Sequence, residues 1–323
     1  LPITLLPDVG DLARLYPAYN AATIVELARV VGARRIVSAT PPDPEHPVLE
    51  AFDAAGMPVV NVAPDWSWAN PEHAQLLDFL NQYPQGRERL REAAALRPAL
   101  QDVLAVPLTA QRVTNAAFLA QVKAYHDGMR EALGEGPGTL HRQQRLAVVT
   151  EGITREAAGD DTVALVALDD VPDILEALPE ARLPDVSAFQ PGEPSRLRAL
   201  VDRALRLEDN DDLEGLVTAL LRERGDAITP RAELQYAAAN VYLAVGDLTS
   251  ARGLLEDAAH ALTDRPRSLP ALVLARLGQV RDAQGDRDLA RRTYQAVLAL
   301  PWAPQVALDA AQRGQQEPFL LEN

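Results

Sequence analysis

The sequence predicts an α/β N-terminal domain, a mostly parallel sheet with a large helical insertion, followed by an all-α domain of repeated helical hairpins. Three observations carry that expectation. Short β-rich runs alternate with helical patterns near the N-terminus, a long wholly helical stretch follows, and turn-forming dipeptides then recur at a nearly fixed spacing. At 323 residues the chain exceeds the size at which one hydrophobic core stops growing. We therefore expect residues 1–190 and 196–323 to form separate domains, with 191–195 between them.

The first strand is expected over Ile3 to Leu6, ahead of Pro7. Residues Ala21 to Val31 place Ile24, Leu27, Ala28 and Val31 on one helical face, with Gly32 at the C-cap. Arg35 to Ser38 and Pro58 to Val62 read as further strands, so the order requires a right-handed parallel crossover. From about 71 to 159 the pattern is helical, punctuated by Pro84, Pro98, Pro107 and the Gly134 to Gly138 cluster. Thr162 to Leu168 restores a buried strand, Val171 to Ala181 a helix with Pro172 in its first turn, and Val186 to Phe189 a last strand. Gln190 to Ser195, with Pro191, Gly192 and Pro194, reads as the linker.

Beyond the linker, Asn210-Asp211, Gly246-Asp247 and Gly285-Asp286 each separate two helical patterns, at spacings of 246 − 210 = 36 and 285 − 246 = 39. Around Gly246 stand Ala239, Tyr242, Ala251, Leu255 and Ala258; around Gly285 stand Leu277, Gly278, Ala290 and Tyr294, with Pro301 beyond. Small residues at a helix crossing permit close approach, and the tyrosines fill the space between neighbouring hairpins. The segment resembles tetratricopeptide repeats over about 120 residues, a family with a period near 34. The first unit departs from the pattern, since Gly215 and Ala219 stand where Ala and a larger apolar residue are expected. Gln305 to Gly314 is expected as a capping helix. The resemblance implies a concave groove for a protein or peptide partner.

A net charge of −15 and a pI near 4.8 argue against duplex nucleic acid or an anionic membrane as partner. Zero Cys excludes disulfides, thiolate metal sites and cysteine nucleophiles, and fits a cytoplasmic setting. The longest apolar runs, Ile24 to Val31 and Thr162 to Leu168, are shorter than the ~20 residues of a membrane span. The chain starts at Leu1, so a removed leader would leave no trace. Oligomeric state is not legible.

In open parallel sheets, ligands bind outside the carboxyl ends of the strands. Aspartates crowd those positions. Asp8, Asp43, His46, Asp65 and Asp169 are the candidate ligands for Mg²⁺ or Mn²⁺, because hard cations prefer oxygen. The competing reading of these residues is as caps and turns. Trp66 and Trp68 offer either a stacking platform or core packing, and Arg142 and Arg145 either an anion site or a solvated helix face. His73, His126, His141 and His260 read as solvated or capping residues, since no H-E-x-x-H spacing joins them. Ser38, Thr40 and Ser67 lack the G-x-S-x-G setting of a nucleophile, and no glycine-rich phosphate loop follows any strand. No residue is assigned as catalytic.

The order of strands around a long helical insertion resembles the ChaN, TraB and erythromycin-esterase-like superfamily. That family carries Gly-Glu or Gly-Thr then His after the first strand, Glu after the second and Gly with His after the late one. Here those places hold Pro7-Asp8-Val9-Gly10, Ser38-Ala39-Thr40 and Ala167-Leu168-Asp169-Asp170, while Arg142 to Ala147 matches the family's arginine-containing late helix. The resemblance implies the fold, with the metal or esterase chemistry lost or remade with aspartates. The expected function is a non-catalytic interaction or scaffold protein without a cofactor, bearing a degenerate enzyme-like α/β domain. The alternatives are a divalent-metal-dependent hydrolase using Mg²⁺ or Mn²⁺, and a small-ligand-binding sensor; whether the chain is an enzyme stays open.

Overall fold

A computed structural model describes residues 3–156 and 161–321. It contains a five-stranded, wholly parallel sheet of order β3-β2-β4-β1-β5 and sixteen α-helices among the described residues. Contacts divide the chain into two compact units, broken between Gln190 and Pro191. Two short segments, Asn20–Ala22 and Leu49–Gly56, group with the second.

Strand β1 spans Ile3–Asp8 and β4 Thr162–Ala167; they pair at the centre from Thr4↔Val163 to Asp8↔Ala167. Both faces of these strands are covered, so their sequences are continuous apolar runs. Leu5, Leu6 and Leu165 have no exposed surface, each worth about 1.5–3 kcal/mol of burial. Strand β2, Arg35–Ser38, joins β4 on the other side, and β3, Val59–Asn61, closes that edge. Helices α1, Ala21–Val30, and α2, Pro47–Ala54, make the connections between β1, β2 and β3.

Two expectations are corrected here. Strand β1 runs through Pro7 instead of ending before it. The Pro7 carbonyl accepts a 2.6 Å bond from the Tyr19 hydroxyl, and the edge strand pairs with β1 only at Ile3 and Thr4, so no ladder donor is lost. That edge strand, β5, is Ala181–Arg182, whereas Val186 to Phe189 forms a turn. The Asp185 carboxylate accepts from Ser187 N, and Gln111 donates to the carbonyls of Val186 and Phe189, which bends the backbone out of the sheet.

The insertion comprises α3 (Ala69–Asn81), α4 (Pro84–Ala95), α5 (Arg97–Ala105), α6 (Ala110–Val113), α7 (Ala116–Leu133) and α8 (Pro137–Glu156). Prolines open α4 and α5, the Thr109 hydroxyl caps α6 and the Asn115 carboxamide caps α7. Helix α8 packs closely on Val62, the residue after β3, because residue 152 is glycine: a Cβ there would stand 2.7 Å from Cβ of Val62. Helix α9, Val171–Ala177, follows β4 and ends four residues short of the expected Ala181, which belongs to β5.

The second unit is a run of helical hairpins: α10 (Glu193–Ala204) with α11 (Leu213–Arg222), α12 (Arg231–Ala244) with α13 (Leu248–His260), and α14 (Leu269–Ala283) with α15 (Arg287–Leu298). Helix α16, Gln305–Gln316, follows. Helix α10 starts inside the expected linker, with Pro194 in its first turn. Gly246 and Gly285 adopt φ of 80° and 82°, the left-handed conformation that ends a helix, and Asp247 caps the next by accepting from Ser250 N. In the first hairpin the cap is Asp212, not the expected Asn210-Asp211 pair. It accepts from Gly215 N, and a Cβ at 215 would oblige its carboxylate to shift.

One face of α12, with Ala232, Tyr236, Ala239 and Leu243, packs with Ala251, Leu255 and Leu277. The opposite face, with Leu234, Ala237, Ala238 and Val241, packs with α10 and α11, and Tyr242 touches both clusters. Tyr294, fully buried beside Ala290, lies between Gly278 and Gly314, at either of which a Cβ would collide with the ring. Only Arg231 and Ala244 of α12 are exposed, and no residue of α14 is. Among the described residues no helix is long and apolar enough to cross a membrane.

Candidate functional site

The carboxyl ends of β2, β3 and β4 open into a crevice of about 650 Å³. Pro41 and Pro42 follow β2, Asp65 to Ser67 follow β3, Ala167 ends β4, and Asp169 and Asp170 follow it. Helices α3, α7 and α8 supply the walls, through His73, His126, Met129, Arg130, His141, Arg142 and Arg145 among others. A concave, largely apolar surface with convergent polar groups at this end of an open sheet is where such folds take ligands.

A buried carboxylate holds the walls to the sheet. Asp170, its side chain 1% exposed, accepts 2.5 and 2.8 Å bonds from the two terminal nitrogens of Arg145. Arg142 adds a 2.7 Å bond to the Asp169 carbonyl, a longer one to Asp170 and a 2.6 Å ion pair with Asp173. Both guanidiniums are thus committed inside the protein, tying α8 to the end of β4. They are neither a solvated face nor a free anion clamp.

Two imidazoles meet carboxylates in the same place. His141 Nε2 donates to Glu72 at 2.8 Å and its side chain is 16% exposed; His126 Nε2 lies 3.4 Å from Asp169. The bond and charge of His126, then the charges of Arg142 and Arg145, hold the Asp169 carboxyl below its ordinary range. His126 and His141 are therefore not the solvated residues expected, while His260 does cap, its Nδ1 bonding the Glu256 carbonyl. Their partners lie far away in sequence, so no local spacing announces them. The one available signal was numerical: three of the five histidines fall in the insertion.

The two indoles are not core residues either. Trp68 is 49% exposed, its ring 5.1 Å from that of Trp66 and 5.0 Å, edge-on, from that of His141. Trp66 is half-buried and lines the crevice, with Trp68 against it. Among the described residues the buried Trp66 indole N–H has no acceptor and His141 Nδ1 no hydrogen-bond partner, while His126 Nε2 has its 3.4 Å contact with Asp169.

The proposed metal ligands do not assemble. Asp8 and His46 meet at 2.8 Å, nearly buried, and are not part of the crevice lining. Burial alone would lower the His46 imidazole, but the Asp8 bond and the charges of Asp8, Asp43 and Asp11 outweigh it and raise its pKa. Burial and the Asp8 charge also drive the Tyr19 hydroxyl well above its ordinary value. Asp43 accepts from Glu45 N, and Asp65 from Ser67 N, a bond that lowers its pKa. Among the described residues no group of three or more His, Asp or Glu is arranged to hold a metal ion. The five residues do not fit Mg²⁺ or Mn²⁺ as one set, and no chemical step is derived through either ion.

Comparison with protein-family models, with curated proteins and with solved structures finds no match to this chain.

Proposed function

We propose that the α/β unit binds a small molecule in the strand-end crevice, and that the chain works as a binding or sensing protein. One observation supports this above the rest: a crevice of about 650 Å³ walled by an indole, three imidazoles and the guanidinium of Arg130, whose partner among the described residues is the half-exposed Asp127. A hydrolase reading would need a nucleophile or a metal set, and the candidate carboxylates are turned to partners within the chain. A thermal-shift panel of nucleotides, amino acids and aromatic carboxylates tests the reading. At a concentration ~100 times its dissociation constant a ligand adds about 2.7 kcal/mol, a rise of several degrees. We expect at least one such compound, and loss of its effect in Trp66→Ala. A panel without a stabilising compound, or a shift that survives Trp66→Ala, would defeat it.

The helical unit favours a second role, that of a tetratricopeptide-like scaffold for a protein or peptide partner. Its three hairpins, with small residues at the crossings, support that reading. In it the partner meets the second helices, where α15 exposes Asp288, Arg291, Arg292 and Gln295, because α12 and α14 are covered. A co-purifying partner whose binding is indifferent to Arg291→Glu with Arg292→Glu would count against it. A Cys-free, acidic composition is compatible with a cytoplasmic setting.

A further inference from the structure

The crevice differs from the protein around it in its charge and in an unmatched donor. Across the chain acidic residues outnumber Lys and Arg by 46 to 31, yet the lining balances Asp65, Asp169 and Asp170 with Arg130, Arg142 and Arg145. The carboxylates are already engaged: Asp170 by both Arg142 and Arg145, Asp169 by His126, and Asp65 by Ser67 N. Arg130 is held more loosely. Its side chain is 45% exposed, and Asp127, to which it donates at 2.9 Å, also accepts from Lys123 at 3.0 Å. One carboxylate therefore answers two cations on the same helix, although Lys123 has Asp173 and Glu176 nearby as well.

Besides charge, the lining carries the donor-only N–H of Trp66, buried without an acceptor among the described residues. A buried donor left unmatched costs free energy that a ligand oxygen would recover. The indole face supplies a flat wall for stacking, with Trp68 packed against it.

From these observations, and resting on the ligand-binding reading above, we infer that the crevice takes an organic anion, a carboxylate or phosphate on a flat ring. Arg130 pairs with the anionic group, the Trp66 N–H serves one of its oxygens, and the ring packs beside Trp66 in the crevice. A guanidinium suits both oxyanions because it can donate two parallel bonds to either.

Calorimetric titration of the full chain with 2-naphthoate and with adenosine monophosphate, each beside a neutral counterpart (2-naphthylmethanol, adenosine), tests the inference. At least one anion should bind about tenfold or more tightly than its neutral counterpart, and Arg130→Gln should remove that advantage while Arg130→Lys retains part of it. Binding of 2-naphthoate alone identifies a carboxylate ligand, and of the nucleotide alone a phosphate. Equal affinity for the neutral compounds, an Arg130→Gln protein unchanged toward the anion, or no binding by either anion overturns the inference. A neutral or cationic stabiliser from the thermal panel would leave the ligand-binding reading intact in that event; an empty panel would remove both.

Discussion

Both units hold aromatic rings, and they use them differently. Tyr294 in the helical unit is sealed between Gly278 and Gly314, and its hydroxyl donates to Asp282 at 3.0 Å. Asp282 is in turn held by Arg287 and by Phe319 N, so the hydrogen bonds around this ring close on themselves. In the α/β unit Trp66 meets Trp68 and Trp68 meets His141, but Trp68 stays half exposed and the Trp66 N–H has no acceptor among the described residues. A ring enclosed by close packing contributes to stability. A ring at the mouth of a crevice contributes little to it and remains free to bind.

The contrast is sharpest in truncation. Tyr294→Ala removes a fully buried ring and one of the donors to the Asp282 carboxylate, so amides of α14 to α16 should lose about 3–5 kcal/mol of opening free energy in native-state hydrogen exchange. Trp68→Ala should change protection across β1 and β4 by no more than about 0.5 kcal/mol. Similar losses from the two substitutions would break the distinction between sealed and open rings.

Polar ties in the α/β unit come next in size. Asp170→Asn removes the charge between Arg142 and Arg145, leaving the 19% exposed Arg145 without its carboxylate. Discounted for that exposure, the cost should be about 2 kcal/mol. Reduced protection should centre on α8 and β4. If those helix amides exchange as in the parent, Asp170 is not what holds the crevice wall.

The smallest effect should come from pH. The raised pKa of His46 means that its bond to Asp8 contributes stability in full below the ordinary value of about 6.5 and loses that contribution as pH rises through the raised value. Comparing denaturation midpoints near pH 6 and near pH 9, the parent chain should lose more stability on the alkaline side than His46→Gln does. The opposite order would mean that the imidazole is neutral in the folded chain.

The same contrast governs how much the amino-acid sequence discloses. Strand β2 and the Gly-Asp turns are legible because each is specified by neighbouring residues, an apolar run in one case and a left-handed glycine before a capping aspartate in the other. Strand β1 was cut short because the tolerance of Pro7 depends on a distant tyrosine, and β5 was misplaced because two residues pairing with an edge leave no periodicity. The crevice was legible only in part. Its strand-end aspartates and Trp66 could be found from topology, but His126 meets Asp169, and His141 meets Glu72 across 69 residues, through helix packing that no local spacing records. Arg142 and Arg145 were identifiable as residues of interest, while their commitment to Asp170 was not.

The indole N–H resonances provide the most direct test that a ligand enters at the strand ends, because the chain has three tryptophans: Trp66 and Trp68 at the crevice and Trp302 in the helical unit. Titration of the nitrogen-15-labelled full chain with the tightest compound from the thermal panel should shift the Trp66 signal most and Trp68 less, leaving Trp302 in place. Saturable binding that moves Trp302, or moves none of the three, would contradict a ligand site in this crevice.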